Sequence, residues 1–264
     1  MTSVPSATIT PEHVLTEVKN RVLTIRMNRP EKKNALTGAM YKAMSDAIRS
    51  SDSDPQIRVV VIAGTTGCFT AGNDLADFAA AKPGTGPVAA LTFLETLAAA
   101  QKPVIAEVAG IAIGIGTTLL FHCDLVYAAP GARFQLPFVN LGLCPEAGSS
   151  MILPGLIGHH RAAEVLFFGE PFNAEAAREL GIVNQIFAEA ELSSAVAAKA
   201  QALAEKPPAA LRASKALLKK AAADQIREAM SRESEQFAAL LQGPEAKEAM
   251  AAFLERRKPD FSRF

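Results

Sequence analysis

Cysteine is scarce in this chain. There are three, Cys68, Cys123 and Cys144, and no two stand at a metal-like spacing. Three thiols cannot all pair with one another, so a reduced intracellular protein is the simplest expectation. Net charge is also missing: Lys+Arg and Asp+Glu both total 27, a formal charge of zero. That balance argues against nucleic acid as the main partner, because such partners call for a basic surface. It leaves room for a local basic patch facing a small anion. No apolar run reaches the roughly 18 residues of a membrane span. The start, Met1-Thr-Ser-Val-Pro-Ser6, lacks a basic stretch followed by an apolar one, so no secretory signal is expected. The terminal Ser262-Arg-Phe264 is not the Ser-Lys-Leu peroxisomal address. The cytoplasm is the expected compartment, with no membrane partner.

What the chain does have is apolar bulk. Hydrophobic residues make up 49% of 264, enough for a sizeable core in one large domain or one domain with an appendage. Val14–Val18 and Val22–Met27 flank Lys19-Asn20-Arg21 and read as a hairpin. Thr37 is placed to cap a helix running to about Arg49, with Met40, Met44, Ala47 and Ile48 on one face. Strands are expected at 59–63, 104–108 and 125–129, and helices at 88–100 and at about 115–122. This alternation predicts an α/β spiral or layered core. After residue 188 alanine-rich helices take over, broken at Lys206-Pro-Pro208 and Gln242-Gly-Pro244. The stretch 189–205 has good helix propensity but few large apolar residues, which suits packing through a narrow face, often against another subunit. The expected division is an α/β core over 10–188 and a helical region over 189–264.

Two glycine-rich turns carry the most information. Gly67-Cys-Phe-Thr-Ala-Gly-Asn-Asp-Leu75 follows the strand at 59–63, and Gly110-Ile-Ala-Ile-Gly-Ile-Gly-Thr-Thr-Leu119 follows the strand at 104–108. A strand, a glycine turn and a helix start expose backbone N–H groups with no partner inside the helix. These groups and the positive end of the helix dipole favour negative charge. Side by side, two such turns can hold one oxyanion, as chemistry at a carbonyl requires. The residues alone do not select the donors, and an ordinary glycine loop or tight helix packing accounts for each turn equally well.

With Asn28-Arg-Pro-Glu-Lys-Lys-Asn-Ala-Leu36, Phe69-Thr-Ala-Gly-Asn-Asp-Leu75, Lys102-Pro-Val-Ile-Ala106, Cys123-Asp-Leu-Val-Tyr-Ala128 and Gly181-Ile-Val183 in this order and spacing, the chain resembles the enoyl-CoA hydratase/isomerase, or crotonase, superfamily from about Val14 to its end. The resemblance implies a crotonase-like spiral of ββα units with a C-terminal helical trimerisation region. It implies a homotrimer or dimer of trimers acting on acyl-CoA thioesters, without a metal or a cofactor beyond the coenzyme A of the substrate. It assigns the oxyanion donors to the backbone N–H groups of Asn73 and Ile115, flanked by Ala71, Gly72, Asp74, Leu75 and Gly114. Along the CoA it places Arg29, Lys32 and Lys33 toward phosphates, with Ala35 and Leu36 walling the adenine pocket. Near the C-terminus, Phe253 and Lys258 match a segment that in some relatives reaches a neighbouring subunit's CoA.

The number of acid/base groups then separates reactions. Hydratases of the superfamily use two glutamates. Their places are taken here by Thr118, after the second turn, and by Phe138, after Pro137. Neither side chain can serve as a carboxylate. One carboxylate stands nearby, Glu146 in Asn140-Leu-Gly-Leu-Cys-Pro-Glu-Ala-Gly-Ser-Ser150. This segment resembles the peroxisomal and bacterial 3,2-trans-enoyl-CoA isomerases, in which that glutamate is the base. One swinging carboxylate suffices to take a proton from C2 and return it to C4. Read without the resemblance, Glu146 is equally a first-turn helix glutamate complementing the dipole. Among the other acids, Asp74 reads as a cap, Glu107 as a packing or ion-pair residue and Asp124 as structural. The histidines at 122, 159 and 160 read as core or surface residues. The leading expectation is a 3,2-enoyl-CoA isomerase of fatty-acid metabolism. The alternatives are a hydratase or other crotonase-type lyase with an atypical acid/base, and a non-catalytic CoA-binding scaffold.

Overall fold

The structure, a computed structural model, describes residues 13–65, 67–74 and 88–264. β1 (Val14–Lys19) and β2 (Val22–Met27) form the expected antiparallel hairpin. Its tip works because Asn20 and Arg21 both take positive φ, the mirror-image turn that matches strand twist. α1 (Gly38–Ser53) starts where Thr37 accepts the Met40 N–H at 3.3 Å. It outruns its expected end at Arg49. Ser51 and Ser53 return their hydroxyls to the carbonyls of Ile48 and Arg49, so they are accommodated in the last turn without breaking it.

The rest of the core alternates. In chain order come β3 (Val59–Ala63), β4 (Cys68–Thr70), α2 (Val88–Ala99), β5 (Val104–Val108), β6 (Ile111–Ile113), α3 (Ile115–Thr118), β7 (Leu125–Ala128) and β8 (Arg133–Gln135). The helix expected through His122 is helical throughout, its second half as a 3-10 turn at Leu119–His122. Then follow α4 (Ser149–Ile157), α5 (His159–Phe168), β9 (Phe172–Asn173), α6 (Ala174–Glu179) and β10 (Gln185–Ile186). The large sheet runs β1-β2-β3-β5-β7-β10, parallel from β2 onward, and the small one runs β4-β6-β8-β9. β3, β5 and β7 lie side by side in the large sheet. The strands that follow them, β4, β6 and β8, lie side by side in the small one. Each circuit of the chain thus adds a strand to each sheet, which is the expected crotonase-like spiral.

At β3, β5 and β7 both faces of the large sheet are covered, which explains their near-continuous apolar runs. Val60, Ile62, Val104 and Ala106 face the main core with Met40, Met44, Ile48, Phe93 and Leu97. Val59, Val61, Ile105 and Tyr127 face the other way. They pack against α7 (Leu192–Ala204) through Leu192, Val196, Ala200 and Ala204, one residue per turn of helix. The narrow face of that helix is therefore spent on the chain's own sheet. α8 (Pro208–Lys220), α9 (Ala223–Leu241) and α10 (Pro244–Leu254) complete the chain, with breaks at the two expected glycine/proline points. α9 returns to pack on α4. Residue 188 marks a change of composition, and packing continues across it. No described helix is long and apolar enough to cross a membrane.

Candidate active site

Parallel pairing of β4 with β6 sets the two glycine turns next to each other. Gly72, at φ +90, comes so close to the second turn that a Cβ there would stand 2.7 Å from the Ile113 carbonyl oxygen. Gly116 returns the approach: its Cβ would stand 2.6 Å from Thr70 Cγ2 and 3.1 Å from the Thr70 oxygen. Glycine suits both places because the Ile113 backbone fills the space at Gly72, and the buried Thr70 side chain with its carbonyl fills it at Gly116. Asn73 and Ile115 sit immediately beside these contacts. Leu36 bridges to Asn73 by giving its N–H to the Gly72 carbonyl and accepting from Asp74 N, so the Asn73 amide points away from Leu36. Ile115 opens α3, where no helical acceptor exists for its N–H. Neither amide meets an acceptor among the described residues.

Side chains from three directions brace the first turn. Tyr41 of α1 donates its hydroxyl to the Asn73 side-chain oxygen at 2.6 Å and leans its ring on Phe93. Asn34, fully buried, donates to Thr65 Oγ1 and to the carbonyls of Cys68 and Phe69. Thr70 donates to the Asn34 carbonyl and accepts the Gly72 N–H. Arg29 belongs to this bracing. Its guanidinium bonds Asp74 at 2.6 Å and the Ala35 carbonyl at 3.0 Å, so it is turned inward. Lys32 and Lys33 are exposed on the same loop. The Ala71 N–H is taken by the Lys33 carbonyl, and the Gly114 N–H by that of Gln135. Leu75 lies outside the described residues. Phe253, in the last turn of α10, and Lys258, beyond its end, are exposed and line no part of the pocket described next.

Glu146 is 7% exposed. It opens on a small pocket whose other walls are Leu91 and Leu94 of α2, Ala147, and Met230, Ser234 and Phe237 of α9. α4 begins only at Ser149, so Glu146 lies ahead of the helix and is not a first-turn residue. Thr118 Oγ1 donates to Glu146 Oε1 at 3.4 Å. Phe138 packs edge-on against Phe237, extending the apolar wall. Burial is the largest influence on the Glu146 carboxyl and raises its pKa; the neighbouring Glu233 raises it further, and the Thr118 hydroxyl opposes. The result is a pKa of about 7, suited to taking and returning a proton near neutrality.

The backbone around Glu146 is clamped. Ala147 stands at φ +64, costly for a residue with a Cβ. His122 Nε2 is 2.8 Å from the Ala147 carbonyl, and the Ser149 hydroxyl donates to the Glu146 carbonyl at 2.5 Å. Burial lowers the His122 pKa to about 4, so its ring is neutral and donates through Nε2. Burial raises the Cys144 thiol to about 11, which disqualifies it as a nucleophile. Glu107 is tied to Ser193 on α7, away from the pocket. Asp124 bonds Lys215 and the Val104 N–H as a structural anchor. Sequence reasoning missed Tyr41, Glu233 and the clamping role of His122. None carries a local motif, and each is brought in from a distant element.

Comparison with known proteins bears on this arrangement. A family model described as Enoyl-CoA hydratase/isomerase matches residues 17–263. Enoyl-CoA delta isomerase 2 from Rattus norvegicus is 35% identical over 213 residues, 78% of this chain and 54% of that protein, so the chain spans about half its length. The 2,3-dehydroadipyl-CoA hydratase of Escherichia coli (strain K12) is 33% identical over 248 residues, covering 92% of this chain and 96% of that one. Among solved structures, an enoyl-CoA hydratase/isomerase from Pseudoalteromonas atlantica T6c superposes with a TM-score of 0.89 at 38% identity, covering 95% of this chain and all of that one.

Proposed function

This chain belongs to the enoyl-CoA hydratase/isomerase family, and we propose that within it the chain is a 3,2-enoyl-CoA isomerase. The observation that carries the reading is Glu146: a buried carboxyl on an apolar pocket, while both hydratase positions hold side chains unable to act as carboxylates. Glu146 in its charged form takes a proton from C2 of a 3-enoyl-CoA. The electron pair left behind delocalises to the thioester oxygen, and the N–H groups of Asn73 and Ile115 stabilise the dienolate. The protonated Glu146 then returns the proton to C4 as the electrons move back. The double bond ends between C2 and C3, with no water consumed and no metal or redox group needed. Apolar walls keep water from competing for the dienolate.

The acyl-CoA class follows from the family. Lys32 and Lys33 are the side chains suited to the CoA phosphates, and Ala35 and Leu36 to the adenine. Three copies are proposed to assemble about a threefold axis through the helices after residue 188. Light scattering at micromolar concentration should give three or six times 27.8 kDa, and a monomer with and without CoA would count against it. The cytoplasm is the proposed compartment.

Hydration is the second reading, favoured by the hydratase named above and by the Thr118–Glu146 pair, which has the chemistry to hold a water. Parallel incubation with 3-enoyl-CoA and 2-enoyl-CoA decides, with products identified by mass. Isomerisation of the first without mass gain supports the proposal; rapid gain of water by the second sinks it.

A further inference from the structure

Glu233 lies on α9 and is 7% exposed. Both of its carboxyl oxygens are engaged. Oε2 accepts the Gly148 N–H at 2.5 Å and Oε1 accepts the Ser150 N–H at 2.8 Å. These N–H groups stand at the start of α4, a place that suits a negative charge. Gly148 and Ser150 follow Glu146 by two and four residues, with the positive-φ Ala147 between.

We propose that Glu233 is a positioning residue for Glu146: it locks the backbone turn that aims the Glu146 carboxyl and sets a second negative charge beside it. This rests on the reading of Glu146 as the proton carrier. A turn with successive positive φ at Ala147 and Gly148 persists only where its surroundings over-determine it. His122 holds one side of it and Glu233 the other. The charge has a separate effect. A carboxylate near a second buried carboxyl disfavours its ionisation, which makes Glu146 a stronger base once it does ionise. Glu233 is the second cause of the raised Glu146 pKa, after burial.

Other groups facing the pocket do not supply that charge. The 3-10 turn after α3 offers His122, neutral near pH 7, and the Glu146 segment offers the Cys144 thiol, which stays protonated. α4 carries no titratable side chain, and α3 contributes the Thr118 hydroxyl. On α2, Glu95, and on α9, Asp224, Arg227, Glu228 and Glu235, line an outer groove beyond Leu91 and Ser234, where all five side chains are exposed and screened by solvent.

The test is carboxyl carbon-13 NMR on protein labelled at glutamate, with the Glu146 signal assigned by its loss in Glu146→Gln. In the wild type, Glu146 should titrate with a midpoint near 7. In Glu233→Gln, the Glu146 midpoint should fall by roughly one unit. The acid limb of the kcat/KM profile with 3-enoyl-CoA should move the same way, and kcat should drop roughly tenfold. An unchanged Glu146 midpoint in Glu233→Gln overturns the proposal. If that variant does not fold, the wild-type titration decides, and a Glu146 midpoint in the ordinary carboxylate range, about 4.3, overturns it. The NMR midpoints are read without turnover, so they stand apart from the reaction. A Glu146→Gln enzyme that still isomerises would overturn the reading beneath, whatever the titrations give.

Discussion

The Tyr41 phenol donates to the Asn73 side-chain oxygen at 2.6 Å, tying helix α1 to the turn whose backbone amide is proposed to meet the oxyanion. Tyr41 is 3% exposed, and its ring also packs on Phe93. Tyr41→Phe keeps the ring and removes the hydrogen bond, a loss of about 1 kcal/mol. The turn should loosen while the fold stays intact. We expect kcat to fall several-fold, with CoA affinity and far-UV circular dichroism unchanged. Wild-type kcat in that variant would show that the tether has no part in catalysis.

Glu146→Gln preserves size and removes the proposed proton carrier. Isomerisation of 3-enoyl-CoA should drop on the order of 10²–10⁴-fold, with binding of a CoA thioester by calorimetry little changed. Glu107→Gln should stay near wild type, because Glu107 is bonded to Ser193 on α7. The opposite pattern would mean that the wrong carboxylate has been chosen.

The same carboxyl should leave a mark on stability. Its pKa is raised in the folded protein to about 7, above the roughly 4.3 of an unfolded chain. Its neutral form therefore favours folding fully below about pH 4.3, and that contribution is lost as pH rises through 7. At one pKa unit per 1.4 kcal/mol, the cost above neutrality is about 4 kcal/mol. Glu146→Gln removes it. The variant should melt higher than wild type at pH 8.5 and about equally at pH 4. His122, with its lowered pKa, works in the opposite direction: its contribution is lost as pH falls from 6.5 toward 4. It does so in both proteins, so it cancels in the comparison. Equal melting temperatures at both pH values would remove the case for a raised Glu146 pKa.

Arg29 and the two lysines beside it should separate cleanly. Arg29→Met breaks a largely buried pair with Asp74 and should cost about 2 kcal/mol in urea unfolding. Lys32→Ala with Lys33→Ala should leave stability within about 0.5 kcal/mol. The double variant should weaken CoA binding a few-fold at low salt, an effect that fades as salt screens it. A stable Arg29→Met protein with lost CoA affinity would return Arg29 to the phosphate site.

Much of this protein was legible in order along the chain. The valine-rich runs at 59–63 and 104–108 announce strands because side chains on both faces must be apolar when helices cover both. The glycines of the two turns announce themselves because a backbone packed against backbone leaves no room for Cβ. Thr118 and Phe138, at the places where the resemblance puts the hydratase glutamates, are side chains that cannot act as carboxylates. These are local facts, set by a residue and its near neighbours. Glu146 was visible as a carboxylate, yet its character was not. Read in isolation it is a helix-start residue, and only the packed structure puts it ahead of the helix, under Leu91, Met230 and Phe237, where burial keeps a proton on it near neutrality. Arg29 reads as a cation facing phosphate, and its pairing with Asp74 shows only in the fold. Glu233 and Tyr41 carry no motif, because their partners lie 85 and 32 residues away in the chain. Spacing along a sequence reports which backbone groups a segment exposes. Desolvation and charge pairing depend on what arrives from elsewhere, and that is decided only when the spiral closes and α9 returns to cover its mouth.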